Sequence, residues 1–341
     1  MKQHLNTLYV KSEGAWLSLD GESVLVSVNK QKVGRIPLHN LQAIQTFGWS
    51  IGASTQLMAH CADKGIHISF CNPNGKLLCN VSGFSSGNVL LRRQQYRIAD
   101  TPSTSISIVR EMIAAKIQNT RVTLQRALRD HTLTDADHIT DVVKNLATSV
   151  KTARQASTFL ELLGIEGYAA ERYFSIFSHL IIPRDFTFSS RSRRPPLDPV
   201  NALLSFSYAL LASDCKSALE SVGLDSAVGF YHKDRPGRPG LALDLMEEFR
   251  TPLADRLVLS LLNRRQLKSH DFKVEETGAV RLSDDARKLV LTSWQERKSE
   301  ILMHPFLEEK VTIGMLPFIQ ARLLAQVIRG ALDAYPPMLW K

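Results

Sequence analysis

The sequence predicts an α+β chain, a β-rich, sandwich-like N-terminal domain followed by a larger, almost wholly helical one. Three observations carry this. Short segments rich in β-branched and aromatic residues, separated by turn residues, fill residues 7–82. From residue 88 onward the apolar spacing changes to that of helices. A length of 341 residues, 44% of them apolar, suits two cores better than one.

Strands are expected at residues 7–11, 15–19, 23–28, 33–37 and 41–47, with turn signals at Glu13-Gly14, Asp20-Gly21 and Lys30-Gln31. A helix at 54–62 precedes strands at 66–70 and 76–81, which flank the turn Asn72-Pro-Asn-Gly75. No acid, base or nucleophile clusters in this part, so residues 1–87 read as a structural or dimerisation domain. Residues 88–104 form a connecting helix and linker. The helical domain, 105–341, is expected to hold helices at 106–129, 139–150, 153–180, 199–222, 243–263, 283–298 and 309–332. A polar joint, Asp130-His-Thr-Leu-Thr-Asp-Ala-Asp-His138, separates the first two. The basic, Ser-rich loop at 186–196 is expected to be mobile until a ligand binds it.

Net charge is +9 with 33 acidic residues still present, which points to a polyanionic partner, nucleic acid first. Cys61, Cys71, Cys79 and Cys215 show no CxxC spacing and read as small buried residues of a reducing compartment, not as zinc ligands or a disulfide framework. No run approaches the ~18 apolar residues of a membrane span, and Met1-Lys-Gln-His lacks a secretory pattern. A cytoplasmic protein is expected.

The chemistry concentrates at Gly229-Phe-Tyr-His232 and the loop beyond it, where Pro236, Gly237, Pro239 and Gly240 exclude regular structure before an apolar helix. Asp244, Glu247 and Glu248 lie three and four residues apart, so on a helix they share one face. Side-by-side carboxylates repel unless a cation sits among them. The stretch is therefore either a divalent-metal site or a solvated acidic patch, and spacing allows Glu247 or Glu248 as a ligand. Earlier, Glu166 lies between Gly164 and Gly167 in an apolar helix. Each glycine costs up to ~1 kcal/mol relative to alanine there, which suggests close approach by another helix or by a phosphate.

Set together, Leu163-Gly-Ile-Glu-Gly, then Arg193-Arg-Pro-Pro-Leu-Asp-Pro-Val-Asn-Ala-Leu-Leu-Ser-Phe-Ser-Tyr, then Gly229-Phe-Tyr-His with Leu243-Asp-Leu-Met-Glu-Glu-Phe-Arg resemble, in order, the CRISPR spacer-acquisition integrase family, Cas1. The likeness spans essentially the whole chain, and the last motif looks most like the type I-C branch. It implies a metal-dependent DNA endonuclease and integrase that inserts short DNA fragments by 3′-hydroxyl attack on a phosphodiester. It places metal ligands on Glu166, His232 and Glu247, with Asp244 as a further catalytic acid. Gly240 stands where many relatives appear to have serine. Two carboxylates with one imidazole suit Mn²⁺ or Mg²⁺. Arg184, Arg191, Arg193, Arg194, Lys233, Arg235 and Arg238 are candidate contacts to double-stranded DNA, with Tyr173 and Tyr208 near the metal. The resemblance further implies a homodimer, the partner protein Cas2 and, for a type I-C likeness, the nuclease Cas4. A non-catalytic DNA-binding scaffold and a branched-DNA repair nuclease are the alternatives.

Overall fold

The computed structural model describes residues 6–73, 77–81, 83 and 89–340. Two compact units emerge: residues 1–87 with 294–301 and 311–315, and residues 88–293 with 302–310 and 316–341. The expected boundary at 87/88 and the second half of the 72–75 turn lie outside the described residues.

The first unit contains two four-stranded sheets. In one, β1 (Asn6–Val10) and β7 (His67–Cys71) flank β5 (Leu41–Phe47) in parallel, and β8 (Leu77–Val81) runs antiparallel to β7. In the other, β2 (Ala15–Asp20), β3 (Ser23–Val28) and β4 (Gln31–Pro37) form a meander, extended by the two-residue β6 (Gly52–Ala53) parallel to β2. Helix α1 (Thr55–Asp63) begins where Ser54 accepts from Leu57 N at 3.3 Å. The inward residues Leu17, Val24, Ile44, Leu57, Cys61 and Ile68 are each sealed from water in one core. Burying each such aliphatic side chain contributes roughly 1.5–3 kcal/mol. Cys79 departs from the sequence expectation: it is exposed, while the other three cysteines are buried.

The second unit is built around α3 (Pro102–Asp130), preceded by α2 (Val89–Asp100) and packed on α4 (Ala136–Gln155) and α5 (Phe159–Ser175). The single helix expected over 153–180 is therefore two, plus a 3-10 turn at Phe177–Leu180. Thr158 starts α5, its hydroxyl accepting from Glu161 N at 3.2 Å while Glu161 Oε2 accepts from Ser157 N at 2.8 Å. Helix α6 (Pro199–Ser221) is apolar nearly all round, as a helix enclosed on every side must be, and begins on an Asp198 cap.

The segment expected as one helix over 243–263 is broken into α7 (Gly240–Met246), a 3-10 turn (Glu247–Phe249), a π-helical turn (Arg250–Asp255) and α8 (Arg256–Asn263). Pro252 has no N–H to give the carbonyl four residues back, that of Glu248. Asn119 Nδ2 of α3 donates to that carbonyl instead, at 2.8 Å. The unit also holds a hairpin, β9 (Phe272–Val274) with β10 (Val280–Leu282), that the helical reading missed. Helix α9 (Asp284–Ser299) follows, then strands β11 (Ile301–Met303) and β12 (Lys310–Thr312). The helix expected from 309 begins only at α10 (Leu316–Ile328), because the β-branched Val311 and Thr312 go into a strand and a 3-10 turn intervenes.

Candidate metal-binding active site

Asp244, in α7, turns its carboxylate back onto the chain that precedes it. Its Oδ2 accepts from Phe230 N at 2.6 Å and Tyr231 N at 3.0 Å, and its Oδ1 accepts from His232 N at 2.9 Å. The same Oδ1 lies 2.7 Å from His232 Nδ1. This crossing requires glycine on both sides. A Cβ on Gly229 would come within 2.7 Å of Gly240 C and His232 O, and one on Gly240 within 2.7 Å of Ala227 O. A serine at 240 therefore needs a different backbone here. Asp244 thus fixes the imidazole's orientation, with Nε2 the ring nitrogen not engaged by it.

Glu166 of α5 and Glu247 of the 3-10 turn meet at a residue the sequence reading did not single out, Lys116 of α3. Its ammonium bonds Glu166 Oε1 and lies 2.7 Å from Glu247 Oε2. Arg250 NH1 adds bonds of 2.8 and 3.1 Å to the two Glu247 oxygens. Burial alone would raise the Glu247 carboxyl, but the Arg250 guanidinium, Lys116 and His232 override it and hold it at about 2. Glu166, His232 and Glu247 are thus gathered at one place from α5, the 229–240 loop and the helix break.

Glu248 is not part of that group, contrary to the shared face expected for it. The 3-10 turn sends it the other way, where Oε1 accepts from Tyr335 OH at 2.5 Å and Oε2 from Met338 N at 2.6 Å and Gln320 Nε2 at 3.2 Å. Burial pushes this carboxyl up to about 8 against those hydrogen bonds.

Tyr173 and Tyr208 are also corrected. Both are buried, and their hydroxyls donate to Asp255 at 3.1 and 2.6 Å, so their rings are interior supports and not stacking surfaces. Arg191 is half-buried, bonded to Asn201 Oδ1 at 2.6 Å and Ser205 Oγ at 3.1 Å, and stands 5.4 Å over the Tyr208 ring. It pins the basic loop to α6, as does Asn201, whose Oδ1 accepts from Ser192 N at 3.0 Å and whose Nδ2 donates to Ser190 O at 2.8 Å. Arg184, Arg193, Arg194, Lys233 and Arg235 are exposed and Arg238 half-buried. Gly164 and Gly167 are exposed, and no atom within 4 Å would meet a Cβ on either, so no helix packs there.

The residues present fit a divalent ion. Two carboxylates face an imidazole whose other nitrogen is locked by a carboxylate, the arrangement that orients metal-ligating histidines. The pocket already draws a cation, the Lys116 ammonium, onto both carboxylates. Tyr231 OH and Arg250 Nε are buried there without a hydrogen-bond partner. Elsewhere, Asp135, His138 and His179 form the set whose ligand atoms lie within 4.8 Å of one another among the described residues. The ligand atoms of Glu166, His232 and Glu247 are more widely spread.

Comparison with known proteins decides the family. Residues 8–296 match the family described as CRISPR associated protein Cas1. The chain belongs to the Cas1 family of CRISPR-associated endonucleases. Over 344 residues it is 50% identical to a CRISPR-associated endonuclease Cas1 of Chlorobaculum tepidum, covering all of both chains. It is 35% identical to a Cas4 exonuclease/Cas1 endonuclease fusion of Geobacter sulfurreducens, matching 96% of this chain and 59% of the fusion. Among solved structures, a Cas1 protein of Thermotoga maritima superposes with a TM-score of 0.83 at 24% identity, over 97% of this chain and 99% of that one. That likeness establishes the Cas1 fold, two N-terminal sheets followed by a mainly helical part. A chain of a partial Cas6-RT-Cas1–Cas2 complex matches at a TM-score of 0.68 and 25% identity, covering 99% of each.

Proposed function

We propose that this Cas1 endonuclease/integrase, which acts in CRISPR spacer integration, does its phosphoryl transfer in the pocket of Glu166, His232 and Glu247, with Mg²⁺ or Mn²⁺ as its ion. The observation that carries the reading is the Asp244–His232 lock beside two carboxylates that already share a cation. Three hard or borderline ligands without a thiolate suit those ions. When bound, such an ion polarises the scissile phosphate and offsets charge on the attacking and leaving oxygens.

The chain's own residues do the rest. Asp244 holds the imidazole in one tautomer and orientation, and Arg250 keeps Glu247 ionised. Arg184, Arg193, Arg194, Lys233, Arg235 and Arg238 offer charge to the DNA backbone without reading bases. The 3′-hydroxyl of an incoming fragment attacks a phosphodiester at the repeat–leader junction: one P–O bond forms, one breaks, and the displaced oxygen leaves with a proton. With water as nucleophile the same pocket cuts DNA.

The wider assembly belongs to the same proposal. The first unit exposes Trp16, Val33 and Trp49, apolar surface that suits a homodimer. Cas2 is the expected partner, given the Cas1–Cas2 assembly among the fold's neighbours, and Cas4 a further one, given the natural fusion. The wording of the 229–250 motif supports type I-C. No described helix is long and apolar enough to cross a membrane, and we place the protein in the cytoplasm with the DNA it would act on.

The test is strand transfer by the chain reconstituted with Cas2, a short duplex bearing 3′-hydroxyls and a leader–repeat target. Joining should need Mn²⁺ or Mg²⁺ and fall by ~10³-fold in a folded His232→Ala variant. Product formed in excess chelator, or undiminished in that variant, would sink the assignment.

A further inference from the structure

We propose that Lys116 is the built-in counter-ion of this pocket: it holds the Glu166 and Glu247 carboxylates together in the metal-free chain and yields them when a divalent cation enters. The inference rests on the ligand assignment proposed above and concerns how those ligands are loaded.

Lys116 lies on the buried stripe of α3, between Met112 and Asn119, with only 14% of its side chain exposed. An ammonium so enclosed persists only where carboxylates compensate it, and the two carboxylates in turn would repel each other without it. Its two partners are held unequally. Glu247 has a second cation, Arg250, on both of its oxygens, whereas Lys116 is the cation on Glu166 among the described residues. Glu247 therefore stays paired if Lys116 leaves.

The two cations also differ in how readily they can leave. Arg250 is a planar fork, bidentate on Glu247 and stacked 4.6 Å over the Tyr208 ring. Lys116 is a point charge on a flexible four-carbon stem. It lines a cavity of about 500 Å³, shared with Thr120, Arg193 and Tyr208, into which the ammonium can swing. With Lys116 seated, the ligand atoms of Glu166, His232 and Glu247 are too widely spread to close on one ion. An arriving divalent cation must take the oxygens that the ammonium now occupies. Apparent metal affinity then includes the cost of displacing a lysine, and metal-free stability includes the benefit of keeping it.

The experiment measures Mn²⁺ binding to the full chain by the EPR signal of free Mn²⁺ at pH 7.5, alongside melting with and without the ion. Lys116→Met should bind Mn²⁺ ~10-fold more tightly, since nothing competes for the carboxylates. It should melt ~5 °C lower without metal, and saturating Mn²⁺ should close that gap. Lys116→Arg, which grips both carboxylates without yielding, should restore metal-free melting and bind Mn²⁺ more weakly than wild type. A lysine with a merely structural role would leave the Met variant equally destabilised with and without Mn²⁺. Unchanged or weaker Mn²⁺ binding in Lys116→Met overturns the inference, and so does tighter binding in Lys116→Arg if the Met variant does not fold. Glu166→Gln separates the two levels. If it binds Mn²⁺ as wild type does, the ligand assignment itself has failed; if it loses the ion while Lys116→Met gains nothing, only the role of Lys116 has.

Discussion

Glu247 and Glu248 are consecutive residues, both buried, yet their carboxyls are driven in opposite directions, to about 2 and about 8. The backbone between them is a 3-10 turn, so they leave the helix on different sides. One meets two cations, Lys116 and Arg250; the other meets neutral donors from Tyr335, Gln320 and the Met338 backbone. Burial is common to both and decides neither. The partners that the fold brings from α3 and from the last residues of the chain make one carboxylate available to a metal and turn the other into a structural clasp.

The largest test of this contrast is a pair of isosteric changes. Glu247→Gln should lower strand transfer by ~10³-fold, having removed a charged ligand, while Glu248→Gln should stay within ~10-fold of wild type. Equal losses would erase the distinction. A smaller effect lies in the pH dependence of stability. Glu248 binds its proton more tightly folded than unfolded, where its value is about 4.3. Its contribution to stability is therefore complete below that value and is lost as pH rises toward about 8. Glu247 behaves oppositely: its contribution is present above about 4.3 and disappears as pH falls toward about 2. Denaturant melts from pH 5 to 8 should accordingly flatten in Glu248→Gln and keep their slope in Glu247→Gln. The smallest effect belongs to the exposed cations outside the carboxylate pair: alanine at Arg193 or Arg235 should reduce the salt slope of DNA binding by ~1 each, with no preference among sequences. Alanine at the pinned Arg191 should instead lower stability.

Much of this was legible beforehand, and what was missed has physical causes. Strand alternation, the Asp198-Pro199 helix start and the order of the three motifs were all visible in the sequence. The break before α5 also had a signal, Thr158 three residues before Glu161, which an otherwise continuous apolar period obscured. Lys116 could have been noticed as a charge within the buried stripe of Met112, Asn119 and Thr120, but nothing local names its partners, which lie 50 and 131 residues away in sequence. Glu248 could not be told from Glu247 by spacing, because that argument assumes a regular helix and Pro252 prevents one. Tyr173 and Tyr208 looked like aromatics beside a metal and proved to be props for a buried aspartate.

The π-helical turn at Arg250–Asp255 has one more consequence. Such a turn is equivalent to one residue spliced into an α-helix. Shortening it by a residue would restore regular winding yet rotate everything downstream by ~100°, swinging Asp255 away from the two tyrosines it anchors. Insertions and deletions in this stretch should thus be far more damaging than point changes of equal size, and a deletion scan should register as a sharp notch there.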